Sequence, residues 1–227
     1  MIINDSFPKF DLPIDFIADD SITGDILNYY SNFPCKIKAG VFVLCTEGMV
    51  KATINLLEVV IRKNDFVIVL PNSFIQIHEV SSDTRISFAG FSSDFMLSGN
   101  YVEILLDSMP MILNSPVISL QDDIAGLYRN VYLLLIRAYT LPHSLENKDI
   151  IRSILAIFLQ GTKELYKRYG RKLDEPLRRE QELYRQFIQL LMAHYTSEHE
   201  VAFYAEKCGV TAAHFSSAIR RASGYLS

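Results

Sequence analysis

The sequence predicts an α+β fold, with strands in its first half and helices in its second. Short apolar runs, separated by turn residues at about ten-residue spacing, fill residues 36–95. Two long stripes of apolar residues at helical spacing cover residues 122–140 and 147–169. Shorter helical patterns joined by a glycine follow them. We therefore expect a β barrel or sandwich over residues 1–120, two long linker helices over 121–172, and a helical unit over 178–227.

Short strands account for most of the first region. Residues 66–70 are apolar at every position, which is typical of a strand covered on both faces. Residues 25–30 are compatible with either a short helix or a strand. Short strands separated by regular turns favour a sandwich or a barrel. Strands are predicted over residues 37–44, 50–57, 66–70, 74–80 and 85–91.

The helix predicted over residues 147–169 carries a broad apolar stripe. Covering one sheet face requires a narrower stripe than this one. Two interpretations are open: the helix packs on the strands of its own chain, or it pairs with a second copy of the protein. We expect a homodimer, and the residues predicted at its interface are Ile151, Ile154, Leu155 and Phe158.

Residues 201–224 have the pattern of two short helices joined by a tight turn. Gly209 suits a left-handed backbone position at the end of the first helix, and Thr211 suits the N-cap of the second. Phe215 and Ile219 are spaced so that both side chains are buried together. This is the arrangement of a helix-turn-helix motif, although an ordinary helical hairpin with a solvated polar face has the same pattern.

The outward positions of the second helix have the residue types that a DNA-reading helix requires. Small or polar residues at its start let a helix lie deep in the major groove, and basic residues at its end reach phosphates. The predicted DNA-binding residues are Thr211, Ala213, His214, Ser216, Ser217, Arg220 and Arg221.

Residues 203–224, which read FYAEKCGVTAAHFSSAIRRASG, resemble the first helix-turn-helix of AraC-type transcription regulators. The resemblance covers about a tenth of the chain. It implies sequence-specific binding of double-stranded DNA, with some residues facing the bases and others near the DNA backbone or the edge of the core. The base-facing residues would be Ala213, Ser216 and Ser217, and the others His214, Arg220 and Arg221.

A second resemblance lies in the strand region. Residues 59–73, VVIRKNDFVIVLPNS, and residues 86–95, ISFAGFSSDF, are similar to strands of the cupin-like sensing domain that precedes the DNA reader in many AraC-type regulators. This implies a barrel that binds a small-molecule effector. A one-residue slip in strand parity would invert the set of inward residues. The predicted pocket-lining residues are Phe42, Leu44, Ile54, Phe66, Ile68, His78 and Phe88.

Enzymatic cupins hold a metal with several histidines, and this chain departs from that pattern. His78 is the first histidine of the sequence. One imidazole cannot form the three-ligand site that a catalytic metal usually needs. We therefore predict no metal, no cofactor and no enzymatic activity. The alternatives are a metal-dependent cupin enzyme with a helical tail, and a sensing or dimerisation module that does not bind DNA.

The composition is that of a globular protein without targeting or membrane segments. The 227 residues are 49% hydrophobic and 21% charged, and the net charge of −4 excludes a general polyanion binder. Three scattered cysteines form no metal or redox motif. No apolar run reaches the length of a membrane span. We expect a cytoplasmic protein whose partners are DNA and an effector rather than a membrane.

The resemblance also bears on the end of the chain. AraC-type DNA-binding domains have two helix-turn-helix units joined by a long helix, whereas this sequence ends at Ser227, shortly after the first unit. We therefore expect a chain truncated after the first unit, with Phe203, Phe215 and Leu226 left uncovered. Fewer phosphate contacts predict weak, salt-sensitive DNA binding.

Overall fold

The computed structural model folds the chain into two five-stranded sheets and a series of helices. It describes residues 9–29, 31, 33–55, 57–98, 101, 104, 108–140, 148–169, 179–194 and 198–222. The strands are β1 (Lys9–Phe10), β2 (Phe16–Thr23), β3 (Cys35–Ile37), β4 (Gly40–Glu47), β5 (Met49–Ile54), β6 (Leu57–Arg62), β7 (Asp65–Val69), β8 (Ser73–Val80), β9 (Arg85–Phe91) and β10 (Val117–Ser119). The helices are α1 (Gly24–Tyr29), α2 (Ser93–Leu97), α3 (Met109–Asn114), α4 (Asp122–Thr140), α5 (Lys148–Tyr169), α6 (Arg179–His194), α7 (Val201–Lys207) and α8 (Ala212–Ala222).

The predicted strands and long helices are found in the structure, which also has elements that were not predicted, among them β1, β2, β10, α2 and α3. β7, β8 and β9 match the predicted strands to within a residue, and α4 and α5 match the two long helices equally well. The predicted strand over residues 37–44 is divided between β3 and β4. The predicted strand over residues 50–57 ends early, because Asn55 takes a positive φ of 47° and turns the chain into β6. The undecided segment near residue 25 is helix α1.

The strands form two sheets, which we name the outer and the inner sheet. The outer sheet has the strand order β1-β3-β8-β5-β6, and the inner sheet has the order β10-β7-β4-β9-β2. All pairs within them are antiparallel except β1 with β3. In the inner sheet, Val41 pairs with Val69 and Phe42 with Ile68. Odd-numbered residues of β4 and β7 therefore lie on one face of the sheet, and even-numbered residues lie on the other.

A first hydrophobic core contains residues of both sheets and lies between them. Cys45 belongs to this core, and burial together with the nearby Asp65 carboxylate raises the pKa of its thiol to about 11. The thiol is therefore neutral and behaves as a small apolar side chain. The inner sheet contributes Val41, Val67, Val69 and Ile86, and the outer sheet contributes Val50, Ala52, Ile54 and Ile61.

A second core joins the other face of the inner sheet to α4 and α5. Phe158 of α5 lies at its centre, with its ring centroid 5.2 Å from Phe42, 5.9 Å from Phe66 and 5.1 Å from Tyr132. All five residues of β7 are buried, since one face meets the outer sheet and the other meets the helices. The prediction that this strand is covered on both sides is confirmed.

The predicted pocket lining does not share one face of the strands. Of the seven residues, Ile54 and Phe88 belong to the core between the sheets. His78 is exposed, and its Nε2 lies 2.7 Å from Thr53 Oγ1. The other four predicted residues were wrongly assigned to a barrel interior. Their strands are apolar on both faces, so the sequence has no alternation that shows which residues point inward. Phe42, Leu44, Phe66 and Ile68 face the helices.

The four residues predicted at the dimer interface are buried within their own chain. Ile151, Ile154, Leu155 and Phe158 all belong to the core between α5 and the inner sheet. Placing them on an exposed interface was wrong, and packing on the strands of the same chain explains the broad stripe. The stripe is broad because α5 contacts α4 as well as the strands.

Two glycines in the long helices give a matched test of this packing. Gly126 of α4 has no atom within 4 Å of the position of an added Cβ, whereas a Cβ at Gly161 of α5 would lie 2.6 Å from the Tyr128 hydroxyl oxygen. We expect Gly126→Ala to raise the free energy of unfolding by about 1 kcal/mol through helix propensity. We expect Gly161→Ala to lower it, because overpacking costs about 1–3 kcal/mol. Urea unfolding of both variants measures this, and a stabilised Gly161→Ala would contradict the packing.

Candidate functional site

The last three helices form a small unit with a hydrophobic core of its own. Phe187 of α6 lies between the other two helices, with its ring edge-on to Tyr204 of α7 at 5.4 Å and to Phe215 of α8 at 5.2 Å. Leu183 and Ala218 are buried beside them. Through these contacts, α6 braces the two shorter helices.

A glycine turn joins α7 to α8. Gly209 has a φ of +68°, and its N–H donates to the Glu206 carbonyl at 2.9 Å. The N–H of Val210 donates to the Ala205 carbonyl at 3.0 Å. These two hydrogen bonds form a Schellman motif, which ends α7 and satisfies carbonyls that the helix leaves unpaired. Val210 also packs against the core of the unit, so the turn fixes the orientation of α8 relative to α7.

Helix α8 presents its first residues to solvent. Thr211 caps it, because the Thr211 hydroxyl accepts a hydrogen bond from the His214 N–H at 3.3 Å. The residues from Thr211 to His214 are exposed, whereas Phe215 and Ala218 are buried. Ser216 and Ser217 are half-buried, and Arg220 and Arg221 are exposed. The surface of α8 is therefore small and polar at its start and basic at its end.

Arg221, at the end of α8, has an acidic neighbour that the sequence did not reveal. Arg221 Nε lies 3.6 Å from Glu180 Oε1 on α6. Arg220 Nε donates to the Ser216 carbonyl at 3.4 Å. Glu180 lies about forty residues before Arg221, so only the packing of α6 against α8 brings them together. Of the other basic residues of this region, Arg178 and the side chain of Arg185 fall outside what the structure describes.

Aromatic residues hold the start of α7 in place. The Tyr204 hydroxyl donates to the Glu198 carbonyl at 2.7 Å. The centroid of the Phe203 ring lies 5.3 Å from that of the His194 ring and 5.6 Å from Lys207 Nζ. The expectation that Phe215 is uncovered was wrong, since α6 and α7 bury it. Phe203 is partly buried, and Leu226 lies outside the described residues.

The described part of the chain has neither a metal-binding cluster nor a membrane-spanning helix. Within those residues, no three His, Cys, Asp or Glu side chains are grouped so that they could hold a metal ion. None of the helices described is both long enough and apolar enough to cross a membrane.

No protein-family model and no curated protein matches this sequence. Among solved structures, the AraC-like transcriptional activator CuxR is 11% identical, with a TM-score of 0.44 over 84% of this chain. This chain spans 63% of the CuxR chain. ToxT from Vibrio cholerae is 11% identical, with a TM-score of 0.37 over 91% of this chain and 94% of its own. ToxT with a bound unsaturated fatty acid, from strain SCE256, is 11% identical, with a TM-score of 0.41 over 96% of this chain and 71% of its own. Similarity this weak leaves the function to be argued from the residues of this chain.

The left-handed backbone of Gly209 predicts how substitutions at this position change the stability of the unit. An added Cβ at Gly209 meets no atom within 4 Å, so a substitution there tests backbone conformation alone. We expect Gly209→Ala to destabilise the unit by about 1–2 kcal/mol, because an L-residue resists the left-handed region. Gly209→Asn is the matched control and should lose less, since Asn tolerates this conformation. Hydrogen exchange of the α7 and α8 amides measures both, and equal losses would contradict the assignment.

Proposed function

We propose that the protein is a ligand-responsive transcription regulator that binds double-stranded DNA through α8. The observation that carries the proposal is the exposed, small and polar start of α8 on a helix that α6 and α7 brace from behind. The resemblance of residues 203–224 to an AraC-type helix-turn-helix supports the same role. In this proposal, α8 reads the bases and the sheets with α4 and α5 form the effector-binding part.

The dimensions of α8 suit the major groove. Its 11 residues give about 16 Å of helix at 1.5 Å per residue, and the groove is about 12 Å wide. Ala213, Ser216 and Ser217 are proposed to face base edges. Serine hydroxyls donate to or accept from several bases, so they specify less strongly than a bidentate arginine. We therefore expect modest sequence preference from these residues.

The pair of Arg221 and Glu180 bears on phosphate binding. Both side chains are partly exposed, at 58% and 37%. An exposed ion pair of this kind contributes about 0–1 kcal/mol, so a DNA phosphate competes readily for the guanidinium. Glu180 also repels the approaching phosphate. We propose that Arg221 contacts the DNA backbone and that Glu180 weakens this contact.

A homodimer remains part of the proposal, but through a different surface from the one that the sequence predicted. Leu127 and Leu134 lie two turns apart on one face of α4, and they are 58% and 48% exposed. Ile157 of α5 is 60% exposed. These three large apolar residues lie beside the buried stripes of their helices. A second copy that covers them would remove apolar surface from water.

We expect three variants to separate the roles of α8 in binding DNA. Arg221→Gln should weaken binding to all sequences alike and reduce the salt slope by about 1, since one phosphate contact is lost. Ser217→Ala should change sequence preference with a smaller effect on overall affinity. Glu180→Gln should strengthen binding, because the competing carboxylate is removed. Fluorescence anisotropy at several salt concentrations measures all three.

The DNA for this titration is the region upstream of the gene, with a shuffled duplex of equal length as control. Circular dichroism of each variant confirms that the helices are intact. No binding of the wild type to either duplex would overturn the proposed function. Equal effects of Arg221→Gln and Ser217→Ala on sequence preference would contradict the division between backbone and base contacts.

The dimer surface has its own test. We expect Leu127→Asp with Ile157→Asp to give a monomer that keeps its fold, because both positions are exposed. Ile154→Asp with Phe158→Asp is the contrast, and it should unfold the protein by burying two unpaired charges. Light scattering and circular dichroism measure the two outcomes. A wild type that is monomeric at micromolar concentration would show that the dimer proposal is wrong.

A further inference from the structure

Two tyrosine hydroxyls of α4 are buried without a hydrogen-bond partner. Tyr132 is 0% exposed and Tyr128 is 7% exposed. Neither hydroxyl oxygen has a partner within the described residues. Thr162 lies close enough to the Tyr128 hydroxyl to lower its pKa, but the Thr162 hydroxyl donates its own hydrogen to the Phe158 carbonyl at 2.8 Å. The two tyrosines are four residues apart, so they lie on the same face of α4.

The rings of these tyrosines lie in an aromatic cluster between α4, α5 and the inner sheet. Tyr128 lies 4.7 Å from the Phe66 ring and 5.6 Å from the Phe158 ring, and Tyr132 lies 5.1 Å from the Phe158 ring. Gly161 of α5 leaves the space that the Tyr128 hydroxyl occupies. Packing alone explains the rings, and phenylalanine would pack in the same way. It does not explain the hydroxyls.

The same core shows what a satisfied tyrosine looks like. Tyr166 of α5 is also buried, and its hydroxyl donates to the Ser115 carbonyl at 2.6 Å. Buried polar groups in folded proteins nearly always have such a partner, because an unpaired group loses its hydrogen bonds to water without replacement. Within the described residues, two unpaired hydroxyls on one helix face are therefore free to hydrogen-bond a bound molecule.

We propose that Tyr128 and Tyr132 bind the polar group of a small uncharged ligand between α4, α5 and the inner sheet. This inference rests on the proposed function, in which that part of the molecule senses an effector. The ligand would carry one neutral oxygen- or nitrogen-containing group, such as an amide or an alcohol, on an apolar remainder that contacts the phenylalanines.

The lack of charge follows from the surroundings of the hydroxyls. Burial raises the pKa of Tyr132 well above its ordinary value, and the neighbouring Tyr128 raises it further. Burial likewise raises the pKa of Tyr128. Both phenols are therefore neutral, and they offer hydrogen bonds but no charge. A carboxylate at this position would be desolvated without a counter-ion, which is far more costly than burying an amide.

The position also connects the ligand to the DNA-binding unit. Tyr166 lies on α5, and the Ser115 carbonyl that it contacts follows directly after α3. α3 lies against α6, which braces α8. A ligand that moves α5 relative to the inner sheet would therefore act on α6 through α3.

The test compares hexanamide with hexanoate, which have the same chain length but differ in charge at neutral pH. We expect hexanamide, and not hexanoate, to raise the melting temperature of the full chain. Tyr128→Phe and Tyr132→Phe keep the rings, and each should weaken hexanamide binding about tenfold through the loss of one hydrogen bond. Tyr29→Phe is the matched control, because Tyr29 is 83% exposed.

Three outcomes would overturn the inference. These are a stronger response to hexanoate than to hexanamide, no response to either probe, and responses of the two buried-tyrosine variants equal to that of the wild type. Anisotropy with the upstream DNA separates this inference from the proposed function. Intact DNA binding without a hexanamide response overturns only the ligand site, whereas a hexanamide response without DNA binding overturns the regulator and leaves the ligand site standing.

Discussion

The packing of the Phe158 ring on the inner sheet is the contact that joins the sheets to α4 and α5. Its ring joins α5 to two strands through Phe42 and Phe66, and to α4 through Tyr132. An inner sheet with apolar residues on both faces requires a cover on both. The outer sheet supplies one cover and the long helices supply the other. The helices are therefore as necessary to this sheet as its own strands.

This constraint also shapes the functional organisation that we propose. Because α4 and α5 share a core with the inner sheet, a ligand in that core would contact the strands and the helices at the same time. The route from there to DNA is short, since Tyr166 holds the segment after α3 and α3 lies against α6. Sensing and reading would then be linked through packed elements rather than through a flexible connection.

Local signals in the sequence were enough to predict β7, β8, β9, α4 and α5, and the turn between α7 and α8. The apolar run of β7 and the spacing from Gly209 to Phe215 depend on neighbouring residues only, so they can be read without a fold. The parity of Phe42 and Phe66 could not be predicted, because both faces of their strands are apolar. The contact between Glu180 and Arg221 could not be predicted either, because it requires two helices to be adjacent. The unpaired hydroxyls of α4 could not be predicted, since a tyrosine in an apolar stripe predicts only a buried ring and not whether its hydroxyl has a partner.

The separate core of α6, α7 and α8 has a consequence for cooperativity. Its residues, among them Leu183, Phe187 and Phe215, belong to a cluster distinct from the one around Phe158. A core this small stabilises its helices only marginally, so this unit opens at a lower free energy than the sheets do. In the function that we propose, DNA binds the closed form alone and would stabilise it by an amount that grows with the logarithm of the DNA concentration over its dissociation constant. Under this proposal, bound DNA would contribute to the folding stability of the unit of α6, α7 and α8.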